Sequence, residues 1–374
     1  MGNLIDRLLE YGEPPWDFAD YMQVALYDPD VGYYMQPKVK LGYKGDFYTS
    51  NHVHSVFAET LIHYFMTVIK KHHLSPYICE WGAGEGQFAN HALSFLEKNY
   101  PDFYEETTYI ILETSPYHRK IIEKNLQAHK SKVILFSSFA ELTKAIVSFD
   151  GVVFSNELID AFPVHRVKMT TNGLQEIKVN LEDNQLMEVN VRCENEDIIN
   201  WLDIYGPKLP EGYCTEVNLA LKDWMSKLRS WLNKGLLVTI DYGYKNEELV
   251  QPQRKEGSIR GYKNHTLVTN PLRYPGEMDL TTHVAWDAFN QLAEGLGFST
   301  IYHGFQEQFL LKAGILTFLD ASAHMTPFSD QFKKNQAIQS LLHPSGISAF
   351  FQVNVQSLAL KMATHELLNN DLMK

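Results

Sequence analysis

From Tyr77 onward short apolar runs alternate with helical segments, and this alternation limits the possible folds more than any other feature of the chain. Runs at Tyr77 to Trp81, Tyr109 to Leu112, Val133 to Phe136, Gly151 to Ser155 and Leu236 to Ile240 read as five parallel strands, with Phe298 to Tyr302 as a sixth. Phe351 to Leu360 can pair as a final strand. Helices are expected from about Gln87 to Asn99, after Ser115, over roughly Glu216 to Asn233, and from Trp286 to Leu296 with a stop at Gly297. The fold class is therefore α/β, built from βαβ units.

Two stretches break the rhythm. Residues 164–193 alternate with period two and carry turn pairs at Asn172-Gly173 and Asp183-Asn184, which reads as an inserted antiparallel hairpin or small sheet. Residues 244–282 are polar and rich in Gly and Pro, and so long a connection reads as a lid or binding loop. Before the alternation begins, Asp17 can cap a first helix that ends in the turn Asp28 to Gly32, and Ser50 can cap a longer one through Val68. The expected organisation is a helical segment at 1–75, an α/β core at 76–163, 215–243 and 284–360, an inserted lobe at 164–214 and 244–283, and a tail at 361–374.

Composition narrows the function classes. The 374 residues carry 33 Lys and Arg against 45 Asp and Glu, a net charge of −12, which disfavours a general nucleic-acid-binding surface. Cys79, Cys193 and Cys214 are far apart and fit neither a disulfide framework nor a CxxC metal site, so a reducing cytoplasm is the expected compartment. No run approaches the roughly 18 apolar residues of a membrane span, so no membrane partner is expected. His52, His54, His72 and His73 make no metal-ligand pattern, and no metal is expected.

The strongest chemical signal is Gly82-x-Gly84-x-Gly86, where a strand runs into a helix. Glycines there permit positive φ and close approach of a ligand, and the helix start offers unpaired N–H donors. A dinucleotide fingerprint would want a third Gly at position 87, but the residue is Gln87, which counts against a nicotinamide-linked dehydrogenase. Glu80 places a carboxylate where a diphosphate would be repelled and an ammonium attracted, which points to S-adenosylmethionine (SAM). Glu113 ends the next strand and can accept both ribose hydroxyls. After the fourth strand, Asn156, Glu157 and Asp160 form a polar cluster where a nucleophilic nitrogen could be oriented and its charge dispersed. The motif there is not Asn-Pro-Pro-Tyr, which disfavours adenine or glutamine amide nitrogen as acceptor.

The chain resembles the MidA-like family of class I SAM-dependent methyltransferases, which includes a mitochondrial arginine methyltransferase that assembles complex I. The matching segments are 28–35, 45–50, 80–86, 111–116, 155–163, 240–244, 279–286 and 306–310, in order along the chain. Asn51 stands where Pro is typical and Tyr244 where His is common. The resemblance implies a Rossmann-like seven-stranded sheet, SAM as cofactor with S-adenosylhomocysteine as product, and Gly45, Asp46, Thr49 and Ser50 closing over that cofactor. It also implies a protein substrate with arginine as the leading acceptor, activated by acids such as Glu157 and Asp160. Asp241, Asp279 and His283 are further candidates on the substrate side, and the hairpin leaves a homodimer open. The rival reading is a SAM-binding assembly factor with little or no catalysis.

Overall fold

Alternating strands and helices assemble as expected into a long sheet, while the two interruptions build separate small sheets. The computed structural model describes residues 2–38, 54–320, 329–343, 346 and 350–362. In chain order β1 (Tyr77–Trp81), β2 (Thr108–Leu112), β3 (Val133–Phe136) and β4 (Phe149–Asn156) come first. β1 pairs in parallel with β2 and β4, and β2 with β3. Then follow β5 (His165–Thr170), β6 (Gly173–Glu182), β7 (Gln185–Arg192) and β8 (Cys214–Val217), a four-stranded antiparallel sheet in the order β7-β6-β5-β8. β9 (Leu232–Tyr244) pairs in parallel with β4. β10 (Arg260–Lys263), β11 (Thr266–Val268) and β12 (Asp279–Thr281) make a three-stranded antiparallel sheet, and β13 (Val284–Ala285) pairs with Gly243 and Tyr244. Last come β14 (Ser299–Phe305) and β15 (Phe351–Leu358), which complete the order β14-β15-β9-β4-β1-β2-β3.

The chain divides into two compact units. The sheet unit holds residues 48–158, 228–241 and 297–374; the lobe holds 1–47, 159–227 and 242–296. Helices α1 (Gly2–Tyr11) and α2 (Phe18–Tyr27) belong to the lobe, and α3 (Val56–His72) and α4 (Gln87–Asn99) to the sheet unit. In the sheet unit, α3 and α4 bring Phe65 and Phe88 onto Phe154 of β4, with ring centroids 5.6 and 4.5 Å apart. In the lobe, Leu4, Trp16, Phe18 and Met22 pack with Val164 and Val179 and with Leu272, Met278 and Leu280. A second lobe core joins Val167, Ile198, Trp201, Val217 and Ala288.

These contacts explain where the units depart from the expected boundaries. Residues 54–75 lie with the sheet because α3 covers it, and the helix Trp286–Gly295 lies with the lobe because Ala288 enters the second lobe core. The stretch read as a lid holds three strands. Its turn residues Asn264 and His265 both have positive φ and join strands of only four and three residues, too short to show a period. The helix expected over 216–233 is the shorter Leu219–Trp231, because Glu216 lies in β8 and Leu232 begins β9. β14 pairs antiparallel with β15, so the long sheet is mixed. At the β6–β7 turn, Asp183 and Asn184 have φ of 47° and 61°, the left-handed pair that a two-residue hairpin turn of matching twist requires. Asp17 precedes α2 without a side-chain cap bond; its carboxylate accepts instead from Lys178 Nζ at 2.5 Å. Ser50, the expected cap of the next helix, lies outside the described residues, and Ser55 precedes α3.

Candidate functional site

Strand register brings the cofactor candidates of the sheet unit together. Trp81 pairs with Leu112, and Glu80 lies opposite both Ile111 and Phe154, so the carboxyl ends of β1, β2 and β4 are side by side. Open α/β sheets hold ligands at these ends. Gly82 N donates to Leu112 O at 2.9 Å, and the loop then turns through Gly82, Gly84 and Gly86 at φ of 77°, 55° and 73°. A Cβ on Gly82 would sit 2.8 Å from Leu158 Cδ1, so the loop is closed to side chains as well as left-handed. Glu113 Oε2 accepts from Gly84 N at 3.0 Å and Oε1 from Ser115 N at 2.8 Å. The carboxylate thereby ties the glycine loop to the start of the helix Pro116–Asn125, which Ser115 caps through His118 N.

Glu80 is buried, and one of its oxygens accepts from Tyr109 OH at 2.7 Å. Burial pushes its carboxyl up to about 8, against the opposing pull of the phenol's hydrogen bond. An incoming cation would recover the ionised form. Tyr109 was not among the sequence candidates. Its signal was geometric: it stands two residues before Ile111, the partner of Glu80, and so faces the same side of the sheet.

At the end of β4, Asn156 Nδ2 donates to Glu157 Oε1 at 3.0 Å, while its buried Oδ1 has no hydrogen-bond partner among the described residues. Glu157 has φ of 52° and its N–H donates to Ile240 O at 2.9 Å. Left-handed backbone costs a non-Gly residue about 1–2 kcal/mol, and such outliers concentrate where a side chain is held for use. Asp160 does not join this pair: it falls in the lobe, where Oδ2 accepts from Thr281 Oγ1 at 2.9 Å and its carbonyl accepts from Thr282 N at 2.8 Å.

Asp241 is fully buried in the sheet-unit part of β9. Asp279 is buried in the lobe and accepts from Tyr34 OH at 2.5 Å; burial and then the Asp279 charge hold that phenol well above its ordinary value. His283 lies against Tyr244, with ring centroids 4.7 Å apart. Burial, then the charges of Arg260 and Arg254, lower its imidazole to about 3, so it stays neutral at working pH. Gly45, Asp46, Thr49 and Ser50 lie outside the described residues. Asp17, His165 and Glu176 place donor atoms within 4.8 Å of one another, a spacing that could hold a metal ion. Lys178 Nζ already supplies a cation there, 2.5 Å from Asp17 Oδ1 and 3.7 Å from Glu176 Oε2.

The sheet-unit set fits SAM chemically. Glu113 offers carboxylate lone pairs for ribose hydroxyls, Asn156 Oδ1 is a buried acceptor lacking a donor, and Glu80 is a carboxyl waiting for a cation. Comparisons with known proteins agree. Residues 57–303 match the family described as "Putative S-adenosyl-L-methionine-dependent methyltransferase". The mitochondrial protein arginine methyltransferase NDUFAF7 homolog of Drosophila melanogaster is 26% identical over 78% of this chain and 69% of its own. The homolog from Caenorhabditis elegans, also mitochondrial, is 27% identical over 83% and 75%. A crystallised superfamily member from Burkholderia thailandensis, bound to S-adenosyl-homocysteine, superposes with a TM-score of 0.84 at 26% identity, covering 97% of this chain and 92% of its own. The mitochondrial relatives leave the cytoplasmic expectation without support. Among the described residues no helix is long and apolar enough to cross a membrane.

Proposed function

The chain belongs to this family of S-adenosyl-L-methionine-dependent methyltransferases, and on that premise we propose that it methylates a nitrogen of a protein side chain, specifically arginine. The relatives named as protein arginine methyltransferases support a protein acceptor. The observation that carries the arginine assignment is the pair at the end of β4: an amide oxygen with no partner among the described residues beside a carboxylate held in left-handed backbone.

In this reading the sheet unit binds the cofactor and the lobe recognises the acceptor. Glu80 would face the ammonium of bound SAM, Glu113 would accept from its ribose hydroxyls, and the loop of Gly82, Gly84 and Gly86 would leave room for it. Gly45, Asp46, Thr49 and Ser50 are proposed as further cofactor residues on the resemblance alone. SAM, when bound, supplies an electrophilic methyl on a sulfonium. A guanidinium is a poor nucleophile because its lone pairs are delocalised over three nitrogens. Glu157 concentrates its positive charge at one edge and aims one nitrogen, and takes up the proton that nitrogen sheds when it gains the methyl group. Asn156 Oδ1 accepts an N–H and holds that orientation. Asp160 holds Thr281 and Thr282 within the lobe.

The test is transfer of labelled methyl from SAM into a protein extract, followed by hydrolysis and identification of the labelled amino acid. Methylarginine is expected, and Glu157→Gln should abolish it while holding S-adenosylhomocysteine affinity within about twofold of wild type. Label on another amino acid would reassign the acceptor. No label from a wild-type chain that binds S-adenosylhomocysteine would sink the protein-acceptor assignment.

A further inference from the structure

Four side chains of the lobe form a run of contacts that methyl transfer leaves unused. The Arg254 guanidinium lies 3.5 Å from the centroid of the Tyr244 ring, Tyr244 meets His283 edge to face, and Arg260 Nη2 lies 2.7 Å from His283 Nε2. Backbone carbonyls aim both cations: Arg254 Nη1 donates to Glu248 O at 3.0 Å and Arg260 Nε to Ser258 O at 3.2 Å. A carbonyl fixes direction without neutralising charge.

Of the acids nearest in the chain, Glu247 and Glu256 form no ion pair with either arginine among the described residues, and Glu216, Glu248 and Asp287 are engaged elsewhere. Glu216 accepts from Ser258 N and Oγ and from Ile259 N, Glu248 from Lys245 N, and Asp287 from Asn246 N. Among the described residues neither Arg254 nor Arg260 has a carboxylate within ion-pair distance, although both are partly buried. Half-buried arginines are ordinarily paired. His283 adds no negative charge. Arg260 Nη2 lies 2.7 Å from His283 Nε2 and 3.3 Å from Nδ1, so the neutral ring fixes that guanidinium in place.

A doubly cationic set of donors without a counterion suits an oxyanion, and the planar guanidinium fork matches the two oxygens of a carboxylate. We propose that Arg254, Arg260 and His283 form a binding site for a carboxylate carried by an acidic protein segment. The chain's net charge of −12 disfavours long polyanions such as nucleic acid, so a short acidic segment is the ligand that fits. The site stands whether or not arginine is the methyl acceptor.

The test uses the full chain and fluorescein-labelled hexaglutamate, read by fluorescence anisotropy at low salt, with hexaglutamine as control. The wild-type chain is expected to bind hexaglutamate at least about tenfold more tightly than hexaglutamine, and Arg254→Gln/Arg260→Gln to lose about tenfold. Arg260→Lys, which keeps the charge and loses the fork, should fall between them. Lys120→Gln/Lys124→Gln, an exposed pair on the helix Pro116–Asn125, should match wild type. Unchanged melting temperature and S-adenosylhomocysteine affinity show that each variant is folded. Binding of hexaglutamate by the double arginine variant within twofold of wild type overturns the proposal, as does an equal loss in the lysine pair. Inorganic phosphate binding more tightly than hexaglutamate would reassign the site to phosphate and overturn the carboxylate assignment.

Discussion

Cofactor binding should expel a proton, and Glu80 is the source. Burial pushes this carboxyl up to about 8, so at pH 7 only about one molecule in eleven has it ionised. Pairing with the ligand's ammonium requires the ionised form, and recruiting it costs about 1.4 kcal/mol, or tenfold in Kd. Affinity should therefore rise up to about tenfold per pH unit below about pH 8 and level off near there, because a free α-amino group loses its own proton at about 7.7–8.0. Calorimetry at pH 7 in buffers of different ionisation enthalpy measures the proton count directly. About 0.7 to 0.8 proton should leave per S-adenosylhomocysteine bound, after allowing about 0.1 to 0.2 taken up by the ligand's amine. Glu80→Gln should bring the count to zero or slightly negative. Tyr109→Phe removes the hydrogen bond that opposes the shift, so its count should approach one and its affinity at pH 7 should fall further. A wild-type count near zero, or a Glu80→Gln count equal to wild type, would refute the pairing of Glu80 with the ammonium.

Glu80 also makes stability depend on pH: a carboxyl raised from 4.5 to about 8 gives full stability below about pH 4.5 and loses it as pH rises toward 8, so by chemical denaturation Glu80→Gln should gain on wild type between pH 5 and pH 9. Glu113→Ala removes the clamp on Gly84 N and Ser115 N together with the ribose acceptor, and should weaken S-adenosylhomocysteine by about 1–3 kcal/mol in calorimetry; unchanged affinity removes Glu113 from the site. Gly82→Ala puts a Cβ 2.8 Å from Leu158 Cδ1 at φ of 77°, so a melting-temperature drop corresponding to at least about 1 kcal/mol is expected, with weakened cofactor binding. Glu157→Gly relieves the left-handed backbone and should raise stability by up to about 1 kcal/mol while abolishing transfer; a variant both less stable and active would contradict both roles of Glu157. Asp160→Asn keeps an acceptor for Thr281 Oγ1 and should retain more transfer than Asp160→Ala, which should lose about 1–3 kcal/mol of stability.

The long sheet was legible because parallel strands are continuously apolar and glycine punctuates their ends. Helix α4 begins at Gln87 and ends at Asn99 as the spacing indicated, and β1 ends at Trp81 immediately before the glycine loop. The 164–193 stretch was legible for a different reason. Its period-two pattern spans long strands, and Asp183 and Asn184 tolerate the left-handed turn between them. The 244–282 stretch hid its strands because β11 and β12 have three residues each, less than two full periods. Glu80, Glu113 and Asn156 were visible as acids and amide at strand ends, since strand order alone brings those ends together. Tyr109 was not, because its role depends on the register between two strands, and a single chain read linearly carries no register.

Glu157 and Asp160 show why residue type in a motif underdetermines its role. They are three positions apart and equally acidic, and the sequence assigns them the same task. The difference arises from what surrounds them after folding. Asp160 has a carboxylate oxygen engaged by Thr281 and a carbonyl engaged by Thr282, so its first effect is to hold the end of β12 within the lobe. Glu157 meets the amide of Asn156 and holds a backbone conformation that costs free energy unless something requires it. An acid whose carboxylate accepts from a neutral hydroxyl lowers its own free energy without substrate. Under the proposed function, one held in left-handed backbone beside an amide oxygen with no partner among the described residues gains most from an incoming guanidinium, and this is the reason for proposing Glu157 rather than Asp160 as the acid that meets the acceptor.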